Sequence, residues 1–198
     1  MVLATSIPTT SNNSDIHQKA PAIKSTTPTW KVSATRFTYQ DSEFEYSVHS
    51  PGTRFGRELG TVFPALSIKQ LKEILVVPVI QRCEYDMVGI TQQVNHERDD
   101  KLEKFVAWGK LVVERLKGLG MWADIMDPAS GFPIYSEAGP TPYPDVQGTQ
   151  TLTRYDVQNV GCCHILLHPT WKSKIYPSTM FTTAPADILV KVINEIVL

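Results

Sequence analysis

Apolar and polar positions along the chain follow two periods, which together predict an α+β fold. Alternation over residues 44–48 predicts a strand, and the β-branched run at 74–81 predicts a second one. Apolar residues at helical spacing predict helices at 99–117 and 185–196. The remaining predicted elements are a short helix at 67–72 and a strand at 121–126, and a further apolar stretch lies around 180–181. Because strands and helices follow one another in mixed order, we expect a single domain with helices packed on a sheet.

Turn-forming and polar residues divide these elements. Residues 1–40 are rich in Ser, Thr, Pro and Asn, which predicts a disordered polar tail before a folded domain at 41–198. Asp, Pro and Gly in the segment 127–131 predict a tight turn, and the Gly/Pro-rich segment 136–150 predicts a mobile loop. Pro78 lacks a backbone N–H, so its strand is expected at a sheet edge or at a bulge.

The segment 161–169, with the sequence GCCHILLHP, holds two of the three cysteines and two of the five histidines. Its apolar centre predicts a buried strand, and alternation divides that strand into two faces. Cys162, His164 and His168 share the more polar face, whereas Cys163 shares the apolar face. We therefore interpret Cys163 as a core residue and Cys162 as a thiol open to chemistry. An unused thiol at the end of a loop is the alternative for Cys162.

Composition removes several classes of function. The chain has 198 residues, 42% of them apolar, which fits one globular core. A net charge of −1 without a basic run argues against nucleic-acid binding. No stretch reaches the roughly 20 apolar residues of a membrane helix. Three cysteines do not make a disulfide framework, and no leader pattern stands at the start. We therefore expect a cytoplasmic location, with a mitochondrial role as the alternative.

Several separated motifs resemble one known family. They occur in the order Phe63-Pro64, Asp86-Met87, Leu102-Glu103-Lys104-Phe105, Trp122-Ala123-Asp124-x-x-Asp127-Pro128-x-Ser130-Gly131, Gly161-Cys162-Cys163, His168-x-x-Trp171 and Phe181-Thr182. Over about residues 44–186 the chain resembles the CblD family of cobalamin-trafficking proteins, the methylmalonic aciduria and homocystinuria type D proteins.

This resemblance implies a nitroreductase-like fold without flavin, and an adaptor rather than an enzyme. It implies a partner, the cobalamin-processing protein CblC, which holds the vitamin B12 cofactor. The family directs that cofactor toward methylcobalamin for the methionine synthase machinery and toward adenosylcobalamin in mitochondria. By the same resemblance, Cys162 supplies a thiolate ligand to the cobalt of partner-bound cobalamin.

The two histidines of the motif are given different roles. His164 is the candidate for assistance as a nearby donor or cation, and an idle surface histidine is its alternative. His168, which precedes Pro169 and lies near Trp171, is interpreted as a packing residue.

One alternative is a flavin-dependent nitroreductase-like oxidoreductase. Such an enzyme needs a basic cluster for the flavin phosphate, and the sequence offers only the scattered Arg36, Arg54 and Arg57.

Two further alternatives use the cysteines. Cys162 could act as a nucleophile with His164 or His168 as the base. A structural zinc ion could instead bind Cys162, His164, His168 and Cys83, although the usual paired Cys spacing is absent.

Overall fold

A computed structural model describes residues 27–161 and 163–197, which form an antiparallel five-stranded sheet, a separate two-stranded hairpin and five helices. The order of strands in the sheet is β1-β2-β3-β7-β4. The elements are β1 Thr29–Tyr39, β2 Ser42–Ser50, α1 Gly52–Val62, α2 Ile68–Glu73, β3 Leu75–Arg82, α3 Gln92–Gly118, β4 Ala123–Ile125, α4 Asp145–Thr153, β5 Asp156–Val160, β6 Cys163–Leu167, β7 Ile175–Thr182 and α5 Ala186–Val197.

The first face of the sheet packs against α3 and α5. Alternation along each strand sends every second side chain to this face. Trp108 of α3 is fully buried there, beside Phe44 of β2 and Phe37 of β1. The other large buried side chains of this layer are Tyr46, Phe105, Leu116, Ile125, Met180, Leu189 and Ile193. Burial of this many apolar side chains supplies the main stabilisation of the fold.

The second face carries α1, α2, α4 and the β5–β6 hairpin. Leu59, Phe63 and Phe181 form the centre of its apolar cluster, with Tyr143 packed against Phe181 at a ring distance of 4.9 Å. A smaller cluster at the other end contains Ile80, Leu166, Trp171 and Ile175. The hairpin is thus attached to the second face of the sheet and is not paired into it.

The α+β architecture predicted from the sequence is confirmed, and most predicted elements are present. The strand at 44–48 is the centre of β2, and the helix at 67–72 is α2, whose Ser67 caps it by accepting from the Gln70 N–H at 3.3 Å. The C-terminal helix and the strands around 75–82 and 123–125 also form as predicted.

Three element boundaries and the place of one strand differ from the prediction. Residues 29–39 were assigned to the tail, but they form β1, whose mostly exposed residues hid its pairing with β2. Pro78 lies in the central strand β3, opposite Thr179, and not at an edge. Residues 145–150 were assigned to the loop but begin α4, and α3 begins at Gln92, capped by Thr91, before the predicted start. Residues 1–26 of the predicted tail lie outside the described residues.

No helix in the described part of the chain is both long enough and apolar enough to span a bilayer.

Candidate functional site

The β5–β6 hairpin carries the cysteine motif at its far end. The strands pair from Asp156 opposite Leu167 to Val160 opposite Cys163, so residues 161 and 162 connect them. Gly161 has φ of +61°, and nothing lies within 4 Å of the position that a Cβ would take. This left-handed conformation favours glycine in a short hairpin connection. Cys162 itself and the side chain of Cys163 lie outside the described residues.

The buried face of β6 is the opposite of the one expected. Leu166 and His168 are buried against the sheet, whereas Ile165 and Leu167 are only partly buried. The reason is that the hairpin covers one end of the second face, where Leu166 contacts the small cluster around Ile80 and Trp171. His164 shares the register of this face but is exposed. No hydrogen bond joins His164 to another described side chain.

A buried carboxylate ties the base of the hairpin to the main sheet. Glu45 of β2 is 5% exposed. Its Oε1 is 2.9 Å from the Tyr155 hydroxyl and 2.9 Å from Nε2 of His168, while its Oε2 accepts from Nε of Arg36 at 3.1 Å. Tyr155 and His168 flank β5 and β6, so both strands of the hairpin connect to the same acid.

The hydrogen bonds of His168 determine which ring nitrogen carries the proton. Nδ1 accepts from the backbone N–H groups of Thr170 and Trp171, at 3.1 and 3.0 Å. A nitrogen that accepts two hydrogen bonds carries no proton, so the proton of the neutral ring is on Nε2 and points to Glu45. The ring is 1% exposed and stacks on Trp171 at 4.3 Å. The interpretation of His168 as a packing residue is confirmed by this stack.

Arg36 closes the network from the edge strand. Its guanidinium lies over Trp171 at 4.6 Å from the ring centre, and Nη2 donates to the Thr170 hydroxyl at 3.1 Å. Arg36 is also directly opposite Glu45 in the β1–β2 register. One side chain therefore holds the carboxylate and the residues that follow β6 at the same time.

The charge state of Glu45 follows from these contacts. Burial raises the pKa of this carboxyl, but hydrogen bonds from His168 and Tyr155, together with Arg36, outweigh it, and the pKa lies below its usual value of 4.5. For Tyr155, burial comes first and the adjacent carboxylate adds to it, so the pKa of the phenol is raised. Glu45 is therefore an acceptor at neutral pH and Tyr155 is a donor.

The structure does not support the zinc alternative. Both ring nitrogens of His168 already have hydrogen-bond partners. Burial, with help from Glu97, raises the pKa of the Cys83 thiol to about 12, which disfavours a thiolate ligand. Among the described residues, no group of three or more His, Cys, Asp or Glu side chains is arranged to hold a metal ion.

The arginines required for a flavin phosphate do not converge. Arg36 lines a cleft of about 1050 Å³ beside α3, whereas Arg54 and Arg57 line two other clefts near α1. Arg36 and Arg54 already pair with Glu45 and Glu58. These three residues therefore form no common phosphate site.

Comparison with known proteins decides the family. A family profile described as methylmalonic aciduria and homocystinuria type D protein matches residues 2–194. The chain belongs to this family. Relatives named cobalamin trafficking protein CblD from Rattus norvegicus and Homo sapiens are 27% and 25% identical over 162 residues. These alignments cover 79% of this chain and 52% of each relative. The chain thus spans about half the length of the curated relatives it matches.

Much of the resemblance to the type D protein family now has a structural explanation. Asp124 is fully buried and accepts from the N–H groups of Ile125, Tyr135 and Ser136, at 2.8, 3.1 and 2.7 Å. Asp127 accepts from the Ser130 hydroxyl at 2.7 Å, and Gly131 has φ of +74°. Asp127, Ser130 and Gly131 form the predicted turn at 127–131, and Asp124 holds the backbone at 135–136 beyond it. The Gly161–Cys163 motif lies far along the hairpin from the buried contacts of Leu166 and His168.

The acidic centre of the network has no clear signature in the sequence. Glu45 stands at a polar position of an alternating strand. Neither its charge nor its neighbours indicate that a hairpin more than 100 residues later covers it. Nor does any local pattern indicate that Tyr155 and Arg36 both donate hydrogen bonds to this acid. The one usable signal was the row of polar residues on the second face of β2, which includes the buried His49, whose ring lies tilted against Trp30 at 4.3 Å.

Proposed function

We propose that this chain is a cobalamin-trafficking adaptor that acts through the far end of the β5–β6 hairpin. Membership of the type D protein family supports a role in cobalamin handling. The observation that carries the proposal is the form of the hairpin, which is anchored at its base and has an open left-handed glycine at its far end. A reactive group next to Gly161 can then be approached by a bulky partner.

The proposed chemical act is cobalt ligation by the Cys162 thiolate. A thiolate is a soft and strong donor to a late first-row metal. Only a small fraction of a thiol with a pKa of about 8.5 is deprotonated at neutral pH, so binding to cobalt releases a proton. His164, exposed on the neighbouring strand, is the proposed assisting group because an imidazole can accept or stabilise that proton.

The proposed partner is the cobalamin-processing protein CblC, which holds the cofactor while Cys162 reaches its cobalt. The chain then directs cofactor toward methylcobalamin or adenosylcobalamin and does not itself catalyse a reaction. We further propose that its sheet and helices are a flavin-free variant of the nitroreductase fold. The cytoplasm is the proposed location, with delivery to the methionine synthase machinery there and a mitochondrial branch as the alternative.

The test combines the full chain with CblC loaded with cob(II)alamin, and follows the cobalamin absorbance on exposure to air. Three forms are compared: wild type, Cys162→Ser and Cys163→Ser. We expect a new thiolate-ligated spectrum with the wild type and with Cys163→Ser, and its loss with Cys162→Ser. An unchanged cobalamin spectrum with all three forms would contradict both the partner and the ligand.

A further inference from the structure

We propose that Glu45 and His168 are positioning residues, which set the direction of the β5–β6 hairpin and hence the place of Cys162 relative to the cobalt. This inference rests on the proposed function for its consequence, but its structural part does not. Neither residue belongs to the Gly161–Cys163 segment: His168 lies at the opposite end of the hairpin, and Glu45 of β2 contacts that end.

The hairpin needs such a tether because its own pairing is short. Its strands have five residues each and pair only with one another. A two-stranded hairpin alone is at best marginally stable in water. Apolar contact with the sheet comes from Leu166 in the cluster around Ile80, Trp171 and Ile175, with Val157 and Tyr155 packed against it. Apolar contacts have no preferred direction, so they set the angle of the hairpin only loosely. Directional bonds are required to fix that angle.

The network supplies directional bonds from three sides. Tyr155 reaches Glu45 from the start of β5, and His168 reaches it from the end of β6. Arg36 reaches the other carboxylate oxygen from β1. Three donors converge on one buried acid, so the orientation of the hairpin base is over-determined. Loss of any donor leaves part of a buried carboxylate unsatisfied, which is costly.

His168 also joins the hairpin to the turn that follows it. Its backbone exchanges two hydrogen bonds with Lys172, each of 3.0 Å, and its Nδ1 holds the N–H groups of Thr170 and Trp171. The ring therefore has two separable tasks. Nδ1 organises the 168–172 turn, and Nε2–H tethers that turn to β2.

Two conservative variants separate those tasks. In His168→Asn, the amide oxygen takes the place of Nδ1 and the tether is lost. In His168→Gln, the amide nitrogen takes the place of Nε2 and can still donate to Glu45. Glu45→Gln weakens the acceptor and turns an amide group toward Arg36. Glu43→Gln is the matched control, because Glu43 lies on the same strand and pairs with Arg36 at 3.8 Å and with Arg82 at 3.1 Å, but has no hydrogen bond to Tyr155 or His168.

The first measurement is amide hydrogen exchange of residues 157–160 and 164–167 in the full chain, from pH 3 to pH 8, with each rate divided by the intrinsic rate at that pH to give a protection factor. We expect at least tenfold faster exchange there in Glu45→Gln and His168→Asn, with β3 and β7 unchanged. His168→Gln should remain within about threefold of wild type. Because the pKa of Glu45 is lowered by its partners, its contribution is present above the ordinary pKa and is lost as pH falls through the lowered value. Wild-type protection factors in the hairpin should therefore fall as pH drops below about 4.5, and Glu45→Gln should lack that fall.

Tyr155→Phe removes one donor without a change of charge, so it serves if a stronger variant fails to fold. We expect it to accelerate hairpin exchange by a smaller factor than Glu45→Gln. Equal acceleration throughout the sheet in Tyr155→Phe and Glu45→Gln would show a general loss of stability and would overturn the proposal. The proposal would also be overturned if hairpin exchange were unaltered in both variants. The same holds if Glu43→Gln accelerated hairpin exchange as much as Glu45→Gln does.

The second measurement uses the CblC–cob(II)alamin mixture. Glu45→Gln and His168→Asn should need at least tenfold more protein for the thiolate-ligated spectrum, while His168→Gln and Glu43→Gln should stay close to wild type. A normal titration by Glu45→Gln, despite a loosened hairpin, would overturn the positioning role. If wild type itself gives no such spectrum, the proposed function fails, whereas the exchange experiment still decides whether Glu45 and His168 orient the hairpin.

Discussion

At the scale of single residues, two carboxyl groups on the second face respond to burial in opposite ways. Glu45 has three donors, and its pKa is lowered. Asp145, in the first turn of α4, has a hydrogen bond from the Thr179 hydroxyl but otherwise faces burial and the nearby Asp127, so its pKa is raised from 3.8 to about 7. The number of hydrogen-bond donors around each carboxylate decides whether the effect of burial on its pKa is outweighed.

The raised pKa of Asp145 predicts a pH dependence of stability. Between about pH 4 and pH 7 the folded protein binds a proton at Asp145 that the unfolded chain has lost, so this group makes folding less favourable as pH rises. We expect Asp145→Asn to be more stable than wild type at pH 8 by about 2 kcal/mol, a difference that shrinks toward pH 4. Urea unfolding at a series of pH values measures it.

Asp187→Asn is the control for this prediction, because Asp187 also lies in the first turn of a helix but is exposed. Its removal should not reproduce the pH-dependent gain. If the free energy of unfolding changes by the same amount between pH 4 and pH 7 in wild type and in Asp145→Asn, the assignment of the raised pKa to Asp145 is contradicted.

Residue types alone gave part of the site. The cysteine motif could be singled out because its residues are rare and clustered, and His168 because it stands near Trp171. Which face of β6 is buried could not be predicted, since Leu166 and Ile165 are equally apolar and the choice depends on where the hairpin docks. Glu45 could not be predicted either, because its partners come from β1 and from the distant end of β6.

At the scale of elements, close approach between α3 and β4 depends on one glycine. A Cβ on Gly109 would lie 2.8 Å from Cδ1 and 2.9 Å from Cγ2 of Ile125. We expect Gly109→Ala to lower the free energy of unfolding by about 1–3 kcal/mol through overpacking. Ile125→Ala alone should cost about 2–5 kcal/mol because it leaves a cavity. Denaturant unfolding of both variants provides the two values.

The double variant tests the contact directly. Because the methyl group that Gly109→Ala introduces enters space vacated by Ile125, the combined loss should be smaller than the sum by more than about 0.5 kcal/mol. Gly118→Ala, on the same helix with open space around it, should stabilise by about 0.5–1 kcal/mol. Additive losses in the double variant would mean that the helix shifts instead of clashing.

Elements with strong periodicity could be predicted, and those whose pairing is remote could not. The amphipathic α5 and the β-branched β3 carry their own signals. β1 does not, because an edge strand packed on one side exposes most of its residues and resembles a polar tail. α4 contains Gly148 and follows a run of prolines, so local composition favoured a loop. Its place is set by the packing of Leu152 and Tyr143 on the sheet.

At the scale of the whole molecule, the role of β1 predicts where the chain can be shortened. Phe37 lies 5.0 Å from Phe44 and 5.4 Å from Trp108 between ring centres, so β1 contributes to the main core as well as to the Glu45 network. We expect deletion of residues 1–40 to destabilise the protein by about 4 kcal/mol or more, since aromatic core contacts and a full row of strand pairing are lost.

Deletion of residues 1–26 is the comparison, because it leaves every contact described above in place. Thermal unfolding of the two shortened proteins beside the full chain checks the difference. Equal melting temperatures for all three would mean that β1 adds nothing to the stability of the sheet.

The hairpin also works as a lever arm. Cys163 is five residues from His168, a length of about 16 Å in extended chain. A tilt of about 10° at the base sweeps the far end through roughly 3 Å, which exceeds the length of a typical metal–thiolate bond of about 2.3 Å. Under the proposed ligation, a small error in the angle at the base is therefore magnified at the end of the hairpin where the thiolate would meet the cobalt. Some mutations should impair function without unfolding the protein. We expect the most harmful of these to lie around Glu45 and His168, a full hairpin length from the cysteine motif.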